Sequence, residues 1–495
     1  MVRSCLVQPE LWVPAGAFDA TLVGIFKKGE WSECNSWRPI SMCNALYRIV
    51  VRCLMPSMTE CLEGWVSNTQ FGARKWRGCS QATFRLQDMM RWVGANFQEG
   101  YALHLDLENA FSSIPLPLVI RMLPNIGLPE SICHFVAVGL INTRVTDRKA
   151  RQWWRPTSGV KQGCPLSPLL YACFHKMLLQ LMRGVLAGVL VGEVSYIDDT
   201  TAVFTCEEHV RLAVAVVFKQ RCRLGVRLNP GKTIIQPIFH TKLIQVPIPD
   251  IVTPASGWWV PVWVGGQLLF EERSEPYYPE NRVVCSAPFV WHLGHPLSYD
   301  LDPVTSYRAV IDKIQPLVNH FNNQPLHAHA RVTLINIVLI PKIVYMLECT
   351  PPIGGLLQII ADGLIDFLKS VCGLSSTLVD KTLYSKRPVG LGIRYIPVCV
   401  PVRVLDAVDK YVRVVHPGNP PTYQEAPFAH ICLEAAAQCL GASTRDVRVP
   451  VQTVLAQFAT VQEVDDLGNE VFLPNRWGFK VHWSSLPLRK MTSEL

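Results

Sequence analysis

The chain is long enough to form several hydrophobic cores, and it is only mildly basic. It has 495 residues, of which 49% are apolar, and a formal net charge of +8. Two or three domains are therefore expected, and the charge suits a phosphate-backbone partner but excludes a histone-like binder. The 17 cysteines include no Cys-x-x-Cys pair, which argues against a disulfide framework and predicts free thiols in a reducing compartment, nucleus or cytoplasm, and not secretion.

The first half of the chain has the pattern of an α+β fold. Residues 1–100 are predicted to alternate short strands with helices, such as Ala45 to Met55 and Gln81 to Val93. Residues 101–240 predict a strand that ends at Asp106, helices after Pro117 and Pro168, a β-hairpin, and a helix from Glu207 to Leu224. This β-α-β-β-α order predicts an antiparallel sheet backed by helices.

The second half has three parts. Residues 245–288 are rich in proline and aromatic residues, which predicts an irregular or β-hairpin insertion. Residues 304–372 have helical periodicity, with a predicted break from His320 to Pro325. The last hundred residues are mixed and predict nothing specific: His430, Cys432 and Cys439 do not have the spacing of a zinc site. The apolar run from Val185 to Val191 is too short to cross a membrane, so no membrane partner is expected.

Cations recur along the predicted helices of residues 304–372. Two interpretations remain open for them: contact with a nucleic-acid duplex, or a solvated helix face. The cations are Arg308, Lys313, Arg331 and Lys342, with His320, His327 and His329 nearby.

The pair Asp198-Asp199 is the strongest local signal for chemistry. Valine, tyrosine, threonine and phenylalanine flank it, and these residues favour strands. Two adjacent carboxylates repel each other and are poor strand formers, so the segment is locally inconsistent in the way that functional sites often are. A divalent cation would resolve the repulsion, since it takes hard oxygen ligands. The alternative is an exposed turn.

Asp106 adds a third acid at the end of the predicted buried strand Tyr101 to Leu105. It could simply cap the next helix. With the hairpin pair it also completes the carboxylate set of a two-metal phosphoryl-transfer site, where two ions about 4 Å apart share ligands.

The segment from Ser158 to Tyr171 lies between these acids and combines two glycines with two prolines. Glycine lets backbone amides approach a ligand closely, and Pro168 suits a helix start. An ordinary loop-to-helix entry accounts for the prolines and one glycine, but not for the ordered set.

These segments, in this order and spacing, resemble motifs A, B and C of reverse transcriptases, and most of all those of non-LTR (LINE-type) retrotransposons. Similar segments extend over residues 20 to about 400. They are Asp106 with Phe111, Gly159-x-x-Gln162-Gly163-x-Pro165-x-Ser167-Pro168, Tyr196-x-Asp198-Asp199, Trp37 to Ser41, Gln70 to Arg74 with Arg77-Gly78, Leu228-Asn229-x-x-Lys232-Thr233, Leu293-Gly294, Ala330 to Tyr345, and Arg387 to Ile393.

The resemblance implies a right-hand polymerase with residues 1–100 as fingers, 101–300 as palm (with the insertion at 245–288), 301–400 as helical thumb and 401–495 of unknown role. It implies two Mg²⁺ ions, with Mn²⁺ as the alternative, held by Asp106, Asp198 and the carbonyl of Leu107, with Asp199 in support. Lys232 is then a candidate proton donor to pyrophosphate, although a lysine after Asn-Pro-Gly is more often a turn residue.

The resemblance also implies a nucleotide site. Phe111 would stack below the sugar and exclude a 2′-hydroxyl, with core packing as its alternative. Gln162 would touch the incoming nucleotide. Lys28 and Arg38 would grip its phosphates, although both fit a solvated basic face and Lys27 competes with Lys28.

The expected activity is RNA-directed DNA polymerisation, with an RNA template, a DNA primer and target, and deoxynucleoside triphosphates as partners. Ile197 stands where relatives more often have alanine, and Ser112 where many have aspartate; neither change removes a metal ligand. Only some three dozen residues precede Arg38, so we expect a fragment such as an N-terminally truncated copy, a degraded copy, or one domain of a longer product. Two other functions stay open: a catalytically inactive nucleic-acid-binding remnant, and an RNA-templated RNA polymerase, against which Phe111 argues.

Overall fold

The fold is given by a computed structural model. It describes residues 13–14, 16–27, 29–33, 36–147, 152–224, 227–248, 254–264, 267–276, 283–375, 384, 392–416, 424–440, 461–464 and 470–473, with backbone alone for 219–224, 227, 254–264, 267–276, 371, 461–464 and 470–473.

Helices make up much of the described chain. They are α1 (Ala45–Trp65), α2 (Cys79–Asn96), α3 (Ala110–Ser113), α4 (Leu116–Met122), α5 (Glu130–Ile141), α6 (Ser167–Val185), α7 (Glu207–Leu224), α8 (Pro303–Asn322), α9 (Ala328–Leu334), α10 (Ile340–Leu347), α11 (Gly354–Cys372), α12 (Ile396–Val415) and α13 (Pro427–Cys439). A 3₁₀ turn (Pro124–Ile126) follows α4, and a π-helical turn (Ile335–Leu339) joins α9 to α10.

The strands lie mainly in the first 300 residues. They are β1 (Ala20–Phe26), β2 (Trp37–Cys43), β3 (Tyr101–Leu105), β4 (Leu107–Glu108), β5 (Val145–Asp147), β6 (Gln152–Trp154), β7 (Leu190–Tyr196), β8 (Asp199–Phe204), β9 (Arg227–Leu228), β10 (Ile234–Pro237), β11 (Gln245–Pro247), β12 (Pro254–Val264), β13 (Gln267–Pro276), β14 (Val283–Ser286), β15 (Phe289–His292), β16 (His295–Ser298), β17 (Val461–Val464) and β18 (Glu470–Leu473).

The chain forms two compact units. Unit 1 comprises Met1–Gly78, Glu99–Gln236 and Lys242–Ala287, and unit 2 comprises Cys79–Gln98, Pro237–Thr241 and Pro288–Leu495. The boundaries of fingers, palm and thumb are functional divisions and stay predictions.

A six-stranded sheet in the order β11-β14-β10-β3-β8-β7 is the centre of unit 1. The pairs β3–β8 and β7–β8 are antiparallel, as the element order predicts, whereas β10 and β14 run parallel. Strand β3 is buried on both faces of the sheet, since its residues Tyr101, Ala102 and Leu103 have no exposed surface. The α+β prediction is therefore confirmed.

Helix α6 packs a broad apolar face into the core of unit 1. Tyr171, Cys173 and Phe174 are fully buried in it, and they belong to one hydrophobic cluster with β3, α1 and α7. Pro168 occupies the first turn of α6, where a missing amide hydrogen costs nothing. The six-stranded sheet therefore packs against a layer of helices that includes α1, α6 and α7.

A second sheet of unit 1 has the order β2-β1-β5-β6. Strands β1 and β2 form an antiparallel hairpin from Ala20↔Cys43 to Phe26↔Trp37. At the end of the hairpin where the two strands are connected, Phe26 stacks on Trp31 with 4.3 Å between the ring centroids. This hairpin carries Lys27 and Arg38.

Unit 2 is mostly helical. Helix α2 contacts α12 and α13, and the buried Asp88 of α2 accepts hydrogen bonds from Tyr411 of α12 and from the backbone of Phe428 and Ala429 in α13. Helix α8 begins at the N-cap Asp302, whose carboxylate accepts from the amides of Val304 and Thr305. These contacts fix where the helices of unit 2 begin.

The predicted helices are present, with different ends. Helix α1 continues ten residues beyond Met55, through Pro56. The break in the long helical region comprises residues 323–327, so His320 is still helical. The prediction of a hairpin insertion is confirmed by the antiparallel pair β12–β13. The thumb-side segment Arg387 to Leu391 lies outside the described residues.

One stretch of the described chain, Ala328–Leu347, passes a test of length and apolarity for a membrane-spanning helix. It spans α9, the π-helical turn and α10. Val332, Ile335, Leu339, Ile343 and Leu347 are buried along one side of it. That pattern is typical of a helix that packs in the core of a folded unit.

Candidate active site

Strand register brings the acids to one edge of the six-stranded sheet. Leu105 pairs with Thr200 across β3 and β8, so Asp106 and Asp199 occupy the next positions along the two strands. Tyr196 pairs with Asp199, which leaves Ile197 and Asp198 as the two residues of a tight hairpin turn. Side chains opposite each other on neighbouring strands lie about 5 Å apart. The structure thus brings Asp106 close to Asp198 and Asp199, which follow it in the chain by 92 and 93 positions.

The electrostatics of the acids are coupled. The pKa of Asp199 is raised to about 7, mainly by burial and in addition by the carboxylates of Asp198 and Asp106. Burial is also the main cause of the raised pKa of Asp198, to which Asp106 adds. Burial raises the pKa of Asp106, while Lys232, Asn229 and Lys27 lower it. Each charge therefore costs free energy that a cation bound between the acids would recover.

The donor set fits a hard divalent cation. Carboxylate oxygens are the ligands that Mg²⁺ takes in phosphoryl-transfer sites, and no softer ligand type belongs to this group. In unit 2, His295, Glu348 and Cys349 also offer ligand atoms for a metal, and these atoms lie within 4.8 Å of one another.

The trio His295, Glu348 and Cys349 is held by the fold of unit 2. Arg403 donates to the carboxylate of Glu348 at 2.6 Å, and the thiol of Cys349 donates to the carbonyl of Ser80 at 3.6 Å. An acid already neutralised by arginine offers little to a metal. Among the described residues, the aspartates have no such arginine partner, and they offer the more suitable donors for a divalent cation.

The turn after β9 contacts Asp106 directly. The amide of Asn229 donates to the carbonyl of Asp106 at 2.9 Å, and the hydroxyl of Thr233 accepts from the amide of Asp106 at 3.3 Å. The ammonium of Lys232 lies 3.9 Å from the Asp106 carboxylate and is mostly exposed. Leu107 pairs with Leu228 in the short β4–β9 ladder. The segment that carries Lys232 is therefore anchored to the strand end that carries the first acid.

Two cations of the β1–β2 hairpin influence the acids. Arg38 is exposed, and its charge lowers the pKa of Asp198. Burial lowers the pKa of Lys27, as do Arg38 and Lys232, whereas Asp106 raises it. Lys28 lies outside the described residues. Lys27, the competing candidate in the sequence, lies within electrostatic reach of Asp106, as Lys232 does.

Phe111 stacks on Tyr171, a residue that lies within electrostatic reach of Asp198 and Asp199. Its ring lies 4.9 Å from that of Tyr171, and the two planes are inclined by 19°. Phe111 is half-buried, whereas Tyr171 is fully buried. The stack fixes the orientation of a ring that still presents surface to solvent, so packing and contact with a ligand are compatible here.

Two glycines of the loop before α6 approach neighbouring backbone closely, one at α3 and the other at β2. A Cβ at Gly159 (φ +84) would lie 2.6 Å from Cα and the carbonyl oxygen of Ser112. A Cβ at Gly163 (φ +103) would lie 2.8 Å from the carbonyl of Ser41. The carbonyl of Gln162, between them, accepts from the amide of Ser41 at 2.6 Å. Both positions need glycine, and together they hold Gln162 between α3 and β2.

Several residues of the site are not evident from sequence patterns. Tyr171 and Asn229 lie inside recognised motifs, but their contacts with Phe111 and Asp106 depend on the fold. Gln70 and His175 contact the hairpin turn of the acids from two other segments. The sequence marks Gln70 only as part of a segment that resembles the family, and that resemblance gives the glutamine no function.

The segment Leu293-Gly294 forms the turn between β15 and β16 in unit 2. Leu293 has φ +51 and Gly294 has φ +90, and the hydroxyl of Tyr345 donates to the carbonyl of Leu293 at 2.8 Å. Leu293-Gly294 is one of the segments on which the family resemblance rests, and a function for this turn stays a prediction.

Comparisons with known proteins agree with this site. Residues 25–240 match the sequence model of the family described as reverse transcriptase (RNA-dependent DNA polymerase). The retrovirus-related Pol polyprotein from the type-1 retrotransposable element R2 of Popillia japonica is 21% identical over 425 residues, which cover 82% of this chain and 55% of that protein. That of Nasonia vitripennis is 25% identical over 227 residues, 44% of this chain and 22% of that protein. A 149 kDa protein of transposon TX1 of Xenopus laevis is 25% identical over 189 residues, 37% of this chain and 14% of that protein.

Two solved telomerase structures align with the fold at low similarity. Telomerase from Candida tropicalis aligns over 47% of this chain and 53% of its own, with a TM-score of 0.36 and 12% identity. Telomerase from Candida albicans, in complex with a fragment of telomeric RNA, aligns over 89% and 66%, with a TM-score of 0.39 and 11% identity.

The chain spans about half, or less, of the length of the curated relatives that it matches. The family model covers all three acids, the loop before α6 and the turn that carries Lys232. The relatives by sequence are products of non-LTR retrotransposons. Residues 25–240 accordingly match a reverse transcriptase domain, and the chain is similar in sequence to the Pol polyproteins of non-LTR retrotransposons.

Proposed function

We propose that the chain is an RNA-directed DNA polymerase that extends a DNA primer on an RNA template. The observation that carries the proposal is the register of β3, β7 and β8, which brings Asp106, Asp198 and Asp199 to one sheet edge. A structural role alone does not explain three acids whose pKa values are all raised by burial.

The carboxylates would hold two Mg²⁺ ions, or Mn²⁺ in their place, and such ions lower the pKa of the primer 3′-hydroxyl and neutralise charge on the pyrophosphate that leaves. Asp106 and Asp198 are the principal ligands in this proposal, with the carbonyl of Leu107 beside them. Asp199, the more exposed acid, supports the site through its charge. The β3–β8 register holds the acids in place, so little reorganisation is needed when substrate binds.

The incoming nucleotide would lie between the hairpin β1–β2 and the loop before α6. Lys27 and Arg38 would contact its phosphates, and Lys28 is the further candidate from sequence. Gln162 would contact the nucleotide from the loop side. Lys232 would give a proton to the departing pyrophosphate, because its ammonium is exposed and only 3.9 Å from the carboxylate of Asp106.

Phe111 would select the sugar. Its ring is fixed by Tyr171, so it cannot turn aside to admit a 2′-hydroxyl without breaking the stack. On this proposal the substrates are deoxynucleoside triphosphates, and the partners are an RNA template with a DNA primer and target.

The compartment we propose is the nucleus or the cytoplasm. The cysteines that the structure describes are free thiols, which suits reducing conditions.

The test uses the full chain with a ribonucleotide template, a DNA primer, Mg²⁺ and deoxynucleotides. We expect primer extension by the unchanged chain and a loss of at least about 1000-fold in Asp198→Ala, because a principal metal ligand is removed. Asp312→Ala, which removes an exposed carboxylate of α8 in unit 2, is the matched control and should retain full activity.

Two outcomes would favour the other functions. Template-primer binding with equal background extension in all three proteins would indicate a catalytically inactive remnant. Equal incorporation of ribonucleotides would contradict the role of Phe111 and favour an RNA-templated RNA polymerase.

A further inference from the structure

The hairpin turn that presents Asp198 is held in a strained conformation. Ile197 has φ +59, in the left-handed region that costs an L-residue about 1–2 kcal/mol. A β-branched side chain is especially unfavourable there. A two-residue turn of this kind normally takes glycine or asparagine. Something outside the hairpin must therefore hold Ile197, and such strain collects at functional sites.

The side chain of Gln70 makes both hydrogen bonds that the backbone of Ile197 offers. Its Oε1 accepts from the amide of Ile197 at 2.7 Å, and its Nε2 donates to the carbonyl of Ile197 at 3.0 Å. Oε1 also accepts from the amide of Gly72 at 2.9 Å. Because two backbone amides face Oε1, only one orientation of the amide group satisfies the network. Gln70 is 1% exposed, so water does not compete for these bonds.

His175 of α6 extends the hydrogen-bond network of Gln70 to Thr200. Nε2 of Gln70 lies 3.4 Å from Nδ1 of His175, and Nε2 of His175 lies 2.8 Å from the hydroxyl of Thr200. Burial lowers the pKa of His175 to about 4, so the ring is neutral and one nitrogen accepts while the other donates. The direction follows: Gln70 donates to His175, and His175 donates to Thr200, the residue after Asp199.

The backbone around Gln70 is joined to the same hairpin. The amide of Phe71 donates to the carbonyl of Ser195 at 2.7 Å, and the amide of Ser195 donates to the carbonyl of Thr69 at 2.9 Å. A Cβ at Gly72 would lie 2.4 Å from the amide nitrogen of Ile197. The segment therefore lies against the hairpin as an added strand, and glycine at position 72 is required for the approach.

We propose that Gln70 is a positioning residue for Asp198 and Asp199: it holds Ile197 in its left-handed conformation and so sets where the two carboxylates lie. His175 and Thr200 support it from the other side of the turn. Gln70 touches no substrate and acts only through Ile197. The inference rests on the proposed polymerase function for its kinetic consequences, but the conformation of the turn can be measured without any activity.

The first experiment compares Gln70→Ala with Gln87→Ala in the full chain. Gln87 is an equally buried glutamine, 2% exposed, whose amide donates to the carbonyl of Cys349 in unit 2. In Gln70→Ala we expect a kcat about 10- to 100-fold lower, because small misplacements of catalytic groups have effects of that size. The Mg²⁺ concentration for half-maximal rate should rise, with template-primer affinity unchanged. Gln87→Ala should retain kcat and the Mg²⁺ response.

The second experiment separates positioning from folding. Ile197→Gly removes the conformational strain, since glycine adopts positive φ without a Cβ penalty. In the Gln70→Ala background it should restore kcat about fivefold or more, the factor that corresponds to about 1 kcal/mol. If Gln70 only stabilises the core, the added glycine should instead lower kcat further, and the inference would be overturned.

The third readout is hydrogen exchange of the peptide that contains residues 194–204. The amide of Ile197 loses its acceptor in Gln70→Ala, so its exchange should be at least about tenfold faster, and it should be unchanged in Gln87→Ala. Unchanged exchange in Gln70→Ala would overturn the inference even if kcat falls. A chain without polymerase activity would contradict the proposed function, and the exchange result would still decide the role of Gln70.

Discussion

Asp199 shows at the level of one residue how the site lowers the stability of the fold. Its pKa is raised to about 7, first by burial and then by Asp198 and Asp106, whereas an unfolded aspartate has a pKa of about 4. Below pH 4 the carboxyl is protonated in both states. Between pH 4 and 7 the unfolded chain loses its proton first, so stability falls as pH rises, and above pH 7 the full cost is present.

Asp199→Asn should therefore stabilise the metal-free protein at pH 8 and much less at pH 5. Burial of Asp199 is incomplete and the residue keeps surface in contact with solvent, which screens the charge, so we expect a gain of about 1 kcal/mol at pH 8. Thermal unfolding in the presence of a chelator measures it, with Asp312→Asn as the control. A gain of the same size at pH 5 and pH 8 would contradict this account.

Residues of the site differ in how well sequence alone predicts them. Asp106, Asp198, Gln162 and Phe111 are visible because acids, glycines and aromatics stand in an order typical of the family. Gln70 is not, because its role depends on contact with Ile197, 127 positions away. Lys28 and Lys27 are adjacent, and no pattern distinguishes them. Pairwise contacts between distant segments are the part that periodicity and spacing do not contain.

At the scale of elements, strands and hairpins are predicted better than helix ends. The acid hairpin follows from alternating β-branched and aromatic residues around Asp198. Helix α1 runs through Pro56, where a proline removes one backbone bond, because Met58 and Leu62 beyond it are buried in the core. The π-helical turn between α9 and α10 has no sequence signal of its own. Tertiary packing therefore decides where helices end.

The N-terminus of helix α13 in unit 2 is capped by a side chain of another helix, α2. Its own N-cap, Ala426, makes no side-chain hydrogen bond. Asp88 of α2 instead accepts from the amides of Phe428 at 2.8 Å and Ala429 at 3.3 Å, and from the hydroxyl of Tyr411 at 2.6 Å. A carboxylate at a helix N-terminus also interacts favourably with the helix dipole. Sequence patterns for helix starts miss this because the cap is 340 positions away.

Asp88→Ala should lower the free energy of unfolding by about 2–4 kcal/mol. The change removes a helix cap and leaves the buried hydroxyl of Tyr411 without its acceptor. Denaturant unfolding monitored by circular dichroism measures the loss. Asp409→Ala, which removes only a surface pair with Arg413 within α12, should cost less than about 1 kcal/mol. Equal losses in the two variants would refute the capping role of Asp88.

At the scale of the whole molecule, the net charge is small, so any binding of nucleic acid depends on where cations are concentrated. A net charge of +8 over 495 residues is too small to bind nucleic acid without a local concentration of cations. In unit 2, Arg308 and Lys313 are exposed on α8, and Lys313 is close enough to Lys342 that the latter lowers its pKa, after burial. The ammonium of Lys313 also lies 3.3 Å above the ring of Trp291. The two sequence interpretations, duplex contact and solvated face, make different predictions for this lysine.

If Lys313 contacts the phosphates of a template-primer duplex, Lys313→Gln should weaken binding equally for unrelated sequences. The slope of log K against log salt concentration should become shallower by about one, since one fewer counterion is released. Fluorescence anisotropy with two unrelated duplexes, between 50 and 200 mM salt, measures both quantities. Arg413→Gln changes the net charge by the same amount in the same unit, but that guanidinium is paired with Asp409, so its slope should equal that of the unchanged chain. If both variants keep the original slope, α8 presents a solvated face and the duplex is bound elsewhere on the chain.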